Sequence, residues 1–202
     1  MFNIRKSQSD ILRAFIETEM SDSENLGGHP NGVSLINRQK NICAVLIPKN
    51  ASTSLTTSAS SSNADKWVPF NFLNKDDSLR YIVILRDPVK RFISALNMFL
   101  TTGKVLYGDL PLVVRGSFYN SDCHFLPQTK FIKDLPRDQI DFFFYKKTVL
   151  EDIEKHYGLK LNQSCKNENI GNKLVTEVDN ELIKKLYSED YELINSVNFI
   201  NI

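Results

Sequence analysis

Residues 81–95 read YIVILRDPVKRFISA, and the change of pattern partway along them sets the fold class. Tyr81 to Leu85 is apolar without a break. A strand with one wet face alternates, so an unbroken run predicts a strand covered on both faces, as in a parallel sheet flanked by helices. Pro88 then stands where a first helical turn tolerates a missing N–H. Beyond it Phe92, Ile93, Leu96, Phe99 and Leu100 form one helical stripe, which predicts a helix over 89–101. Strand into helix through Arg86-Asp87-Pro88 is a step of an α/β domain.

The same grammar recurs on both sides. Residues 42–47 (ICAVLI) form a second unbroken apolar run, read as a buried strand over 41–47, and residues 141–145 (DFFFY) a third. A helix follows the third strand, opening with Thr148 and Glu151 in capping-box spacing and closing near Gly158. Residues 33–37 read as a further strand. Residues 7–20 read as an amphipathic helix, with Ser7 and Asp10 in capping-box spacing, and 176–196 as a C-terminal helix. Residues 21–32, rich in Gly, Asn, Pro and Ser, and residues 103–120 read as loop or irregular chain. This order predicts an α/β domain with a mainly parallel central sheet flanked by helices. In such sheets ligands bind at the carboxyl ends of the strands.

The chain has 202 residues, 42% apolar and 24% charged, which suits one domain with a real core. Its net charge of +1 argues against bulk binding to nucleic acid or to an anionic membrane. Cys43, Cys123 and Cys165 are odd in number and have no CxxC spacing, so neither a disulfide framework nor a zinc site is expected. No apolar stretch reaches membrane-spanning length, and residues 1–9 lack the apolar core of a signal peptide. A soluble, cytoplasmic protein is expected.

Two loops directly follow buried strands. The first is Pro48-Lys49-Asn50-Ala51-Ser52-Thr53-Ser54. Small residues admit a ligand to the backbone, and a helix starting near Ser52 would aim its first N–H groups at an anion. Lys49 adds a full charge and the hydroxyls further donors. The GxxxxGK[ST] phosphate loop is absent. The Ser- and Thr-rich run over 52–62 also reads as a flexible linker. In the second loop Arg86 ends a strand, and Ser94 follows eight residues on, about two turns into the helix. Together they can grip a phosphate; alternatively Arg86 pairs with Asp87 and Ser94 faces solvent. Lys90 and Arg91 add nearby charge.

Residues 48–55 (PKNASTSL) resemble the 5′-phosphosulfate-binding loop of sulfotransferases that use 3′-phosphoadenosine 5′-phosphosulfate (PAPS). Residues 86–95 (RDPVKRFISA) resemble their 3′-phosphate-binding turn and helix. With residues 124–128 (HFLPQ), the set is most similar to the carbohydrate branch, of chondroitin, dermatan and HNK-1 type. The three elements lie in the right order within 48–128, and weaker likeness continues to the C-terminus. The resemblance implies a three-layer P-loop-like fold over 1–202, with 1–40 towards the acceptor and 41–202 the PAPS-binding core. It implies PAPS as donor, 3′-phosphoadenosine 5′-phosphate (PAP) as product, no metal, and a hydroxyl acceptor, expected to be a carbohydrate. Lys49, Asn50, Ala51, Ser52, Thr53 and Ser54 would hold the 5′-phosphosulfate, and Arg86 and Ser94 the 3′-phosphate. The branch's Golgi members carry an N-terminal membrane anchor that is not seen here, and the acceptor-binding insertions look trimmed.

Sulfo transfer needs a base for the acceptor hydroxyl, and a histidine of near-neutral pKa suits. Of His29, His124 and His156, the resemblance selects His124 as base, with Lys49 also catalytic through charge on the bridging oxygen. From residue chemistry alone, His124 reads equally as a loop anchor. Asp122 and Glu151 are fallback bases, and His156 reads as structural. Trp67, Phe118 and Tyr119 are candidates to stack on a sugar, or to pack on the surface or in the core. The stretch 169–173 reads as a nucleotide cover or an ordinary turn. Two other readings stand beside the transferase: a small-molecule kinase using Asp87 for magnesium, and a non-catalytic nucleotide-binding module.

Overall fold

The computed structural model describes residues 33–61, 67–71, 78–102, 123–161 and 180–201. The expected helix over 7–20, the loops over 21–32, 103–120 and 169–173, and the residues His29, Asp122, Phe118 and Tyr119 lie outside them.

Five strands form one mixed sheet: β1 (Val33–Asn37), β2 (Ile42–Val45), β3 (Trp67–Asn71), β4 (Arg80–Leu85) and β5 (Ile140–Phe144), in the spatial order β3-β1-β2-β4-β5. β2, β4 and β5 run parallel, with Val45 beside Val83 and Leu85 beside Phe144. β1 and β3 are antiparallel to their neighbours, so half the sheet departs from the mainly parallel expectation. The cause is short-range. Residues 38–41 join β1 to β2 as a tight turn with Asn41 at φ 52°, whereas a parallel pairing needs a crossover of a dozen residues or more. β3 was not foreseen. It is an edge strand, where Pro69 is tolerated.

Strand alternation sorts the core into two clusters on opposite faces. Cys43, Val45, Tyr81, Val83, Leu85 and Phe142 share one, closed by Phe131, Ile132, Leu135 and Leu193. Ile42, Ala44, Ile82, Ile84 and Phe143 share the other, closed by Leu55, Ala59, Val149 and Ile153. The latter four belong to α1 (Ser52–Ser61) and to α4 (Val149–Tyr157). Phe131 and Ile132 belong to α3 (Thr129–Ile132), and Leu193 to α6 (Ser188–Ser196). A helix over the Ser- and Thr-rich run excludes the linker reading for Ser52–Ser61. Leu55 and Ala59 supply its buried side, and Thr56 and Thr57 bond their own helix carbonyls.

α2 (Pro88–Thr101) starts as the proline predicts, with the Asp87 carboxylate accepting from Lys90 N at 2.9 Å. α4 ends at Gly158 in the left-handed conformation, but Thr148 makes no side-chain cap, so the expected capping box does not form. The C-terminal helix is two, α5 (Asn180–Leu186) and α6, broken at Tyr187. The buried Tyr187 ring packs on Phe92, and its hydroxyl donates to Phe125 O at 2.5 Å. Beyond α6, Ile200 N donates to Phe142 O at 2.9 Å, which lays Phe199 and Ile200 along β5. Among the described residues no helix is long and apolar enough to cross a membrane.

Candidate functional site

β2 and β4 are parallel neighbours, so the loops after them leave the sheet side by side. The Arg86 guanidinium donates to Lys49 O at 2.8 Å, which brings the two sequence-predicted cations to one place. Lys49 and Ala51 take left-handed backbone at φ 66° and 62°, between which Asn50 turns inwards. Such conformations cost a side-chain-bearing residue about 1–2 kcal/mol each, and they persist where surrounding contacts impose them. Here the buried Asn50 side chain donates to Ile84 O at 2.8 Å and to Gln128 Oε1 at 2.5 Å. Ser52, Thr53 and Ser54 form the first turn of α1, where helical N–H groups lack intrahelical acceptors.

The charges are desolvated. Burial first, and then the Arg86 charge, hold the Lys49 ammonium below its ordinary pKa. Burial is also the main cause lowering Arg86. Lys49 Nζ has the soft Met98 sulfur at 3.6 Å, and the Arg86 guanidinium lies over the Tyr145 ring, 4.5 Å from its centroid. Among the described residues no carboxylate forms an ion pair with either cation, and Arg86 Nε is a buried donor with no acceptor. Asp87, the alternative partner for Arg86, caps α2 and makes no direct ion pair with Arg86, though its charge favours the guanidinium. Two adjacent, partly buried cations fit the oxygens of an anion.

Residues 123–128 close over this corner. Arg91, expected to add nearby charge, is buried, with its guanidinium turned into the protein. It donates to Pro48 O at 3.1 Å, Leu126 O at 2.6 Å and Cys123 O at 3.2 Å, tying the first loop to the 123–128 segment. His124 is half-buried. Its ring meets Phe99 of α2 edge-on at 5.8 Å, and its Nδ1 is 4.0 Å from Cys123 Sγ. Met98 and Phe99 are neighbours on α2, so Lys49 and His124 are attached to consecutive residues of one helix. Ser94 lies half-buried on α2 with no hydrogen bond to Arg86.

Other candidates sit elsewhere. His156, late in α4, packs on Phe143 and Tyr157 and lies 3.9 Å from Asp141, which also pairs with Arg80. Arg80 opens β4, so this cluster is at the opposite end of the parallel strands. Trp67 is in register with Asn37, and Asn37 with Ile42, which puts it at that far end too. It packs against the core cluster of Leu35 and Ala44, away from Lys49. Glu151 is exposed on the first turn of α4. Tyr145 was missed as a site residue. As the first residue beyond β5, next to Arg86, it was open to the same strand-end rule.

No family model, curated protein or solved structure matches this chain.

Proposed function

We propose that the protein is a PAPS-dependent sulfotransferase with a three-layer P-loop-like core, acting on a hydroxyl acceptor of carbohydrate type. One observation carries the proposal: Lys49 and Arg86, predicted from separate motifs to hold opposite ends of one nucleotide, stand together with no direct ion pair among the described residues. In this reading Lys49 and the amides of Asn50, Ala51, Ser52, Thr53 and Ser54 hold the 5′-phosphosulfate, and Arg86 and Ser94 hold the 3′-phosphate. The sulfur–oxygen bond to the 5′-phosphate breaks as the acceptor oxygen bonds to sulfur. The acceptor proton passes to His124, and PAP leaves with its charge offset by Lys49. Rate enhancement then comes from positioning and preorganised charge, as in phosphoryl transfer. A sulfo group carries less charge than a phosphoryl group, so the reading requires no metal. A kinase would need a free carboxylate for magnesium, and Asp87 is engaged as a helix cap.

Two variants test the assignment, with PAP binding followed by calorimetry and sulfo transfer by label incorporation over a panel of sugars. Arg86→Ala should weaken PAP binding by about a hundredfold, the effect of losing a charged hydrogen-bonding partner. His124→Ala should keep PAP affinity and lose turnover by about a hundredfold or more. Unchanged PAP binding in the first variant would contradict the nucleotide assignment. Unchanged turnover in the second would remove His124 as the base.

A further inference from the structure

Gln128 occupies an unusual place. It is fully buried, and all four hydrogen-bonding positions of its amide are engaged at the strand tips. Its Oε1 accepts from Arg86 N at 2.9 Å and from Asn50 Nδ2 at 2.5 Å. Its Nε2 donates to Arg86 O at 2.9 Å and to Asp190 Oδ2 at 3.3 Å. The amide thus pairs with both backbone groups of Arg86, as a neighbouring strand would, while holding the side chain between Lys49 and Ala51. Asp190, also fully buried, accepts from Gln128 N at 2.9 Å and Thr129 N at 3.0 Å. Its bond to Nε2 adds to the Arg86 backbone pairing, which fixes which end of the Gln128 amide is oxygen and which nitrogen.

We propose that Gln128, oriented by Asp190, is the positioning residue that sets the distance between the two cation-bearing strand tips. The inference rests on the bisphosphate reading above. The β2–β4 pairing ends at Val45 and Val83; beyond it the Arg86–Lys49 O and Asn50–Ile84 O bonds link the tips, and Gln128 adds a further bridge against the repulsion of Lys49 and Arg86. The Asn50–Gln128–Arg86 bridge crosses between them at backbone level, outside the apolar clusters. A ligand anchored at both ends gains over one anchored at a single end only while that spacing is kept.

The test compares PAP with AMP and with adenosine 3′-monophosphate by calorimetry, on the intact protein and on Gln128→Met and Asp190→Asn, with thermal unfolding alongside. The intact protein should bind PAP about a hundredfold more tightly than either monophosphate. In Gln128→Met that advantage should shrink at least about tenfold, while each monophosphate keeps its affinity within about threefold. Asp190→Asn, which loosens the hold on the Gln128 backbone and amide without removing the amide, should shrink the advantage in the same direction and serves if Gln128→Met does not fold. A merely structural role would weaken all three ligands alike, and that result would overturn the inference. So would an undiminished advantage in a folded variant. If the intact protein binds PAP no better than the monophosphates, the bisphosphate reading itself fails and the inference falls with it.

Discussion

Lys49 carries the electrostatic logic of the corner. Its pKa is lowered by burial and then by Arg86, so the fold disfavours its charged form. That penalty on stability is full below the lowered pKa and is relieved as pH rises through it towards the ordinary lysine value. Anion binding has the opposite need, because it requires the proton. PAP affinity should therefore be flat near neutrality and fall with rising pH, starting below the ordinary lysine pKa of about 10.4. Calorimetry across that range checks it, and Lys49→Arg, charged throughout, should flatten the fall. A decline of the same shape in Lys49→Arg would assign the titration to another group. Arg91 shows the limit of reading charge from sequence. In RDPVKRFISA it reads as charge near the site, yet it is sealed against three backbone carbonyls. Shortening it to Met would leave those carbonyls buried without their donors. A loss of about 3 kcal/mol is expected in denaturant unfolding. A loss under about 1 kcal/mol would mean that water replaces the guanidinium.

At the scale of elements, local signals were readable wherever the deciding partner lies a few residues away. Pro88 and Asp87 start α2, and Gly158 ends α4 at φ 61°, because each acts on its own turn. Asp87→Ala should cost about 1 kcal/mol of stability through the lost cap, measured by thermal or denaturant unfolding. Gly158→Ala should cost about 1–2 kcal/mol through backbone strain, since its added methyl would meet only the Lys40 ammonium at 3.9 Å. A neutral Gly158→Ala would show that the helix end relaxes. Where the partner is distant, the sequence was silent. The turn at Tyr187 depends on Phe92 and Phe125, and the clasp of Gln128 depends on Asp190. The missing Thr148 cap is a spacing signal with no hydrogen bond behind it.

Over the whole molecule, the unbroken apolar runs placed β2, β4 and β5 within a residue or two at each end, because a strand covered on both faces has no polar side to interrupt it. The antiparallel half was less legible. The β1–β2 turn is four polar residues between apolar runs but was not read as a hairpin, while β3 holds a proline and pairs across thirty residues or more with β1. The site follows the same division. Lys49 and Arg86 were legible as residues just past buried strands, and parallel pairing then forces them together. Tyr145 was open to the same strand-end rule, whereas Met98 and the Gln128 bridge become neighbours of the corner only through the fold. What these strand tips grasp is therefore the decisive question, and calorimetry with PAP against AMP and ATP addresses it without an acceptor. PAP should bind far more tightly than either, by about a hundredfold, because both of its phosphates meet a cation. Equal binding of AMP, or tighter magnesium-dependent binding of ATP, would contradict a site built for a 3′,5′-bisphosphate.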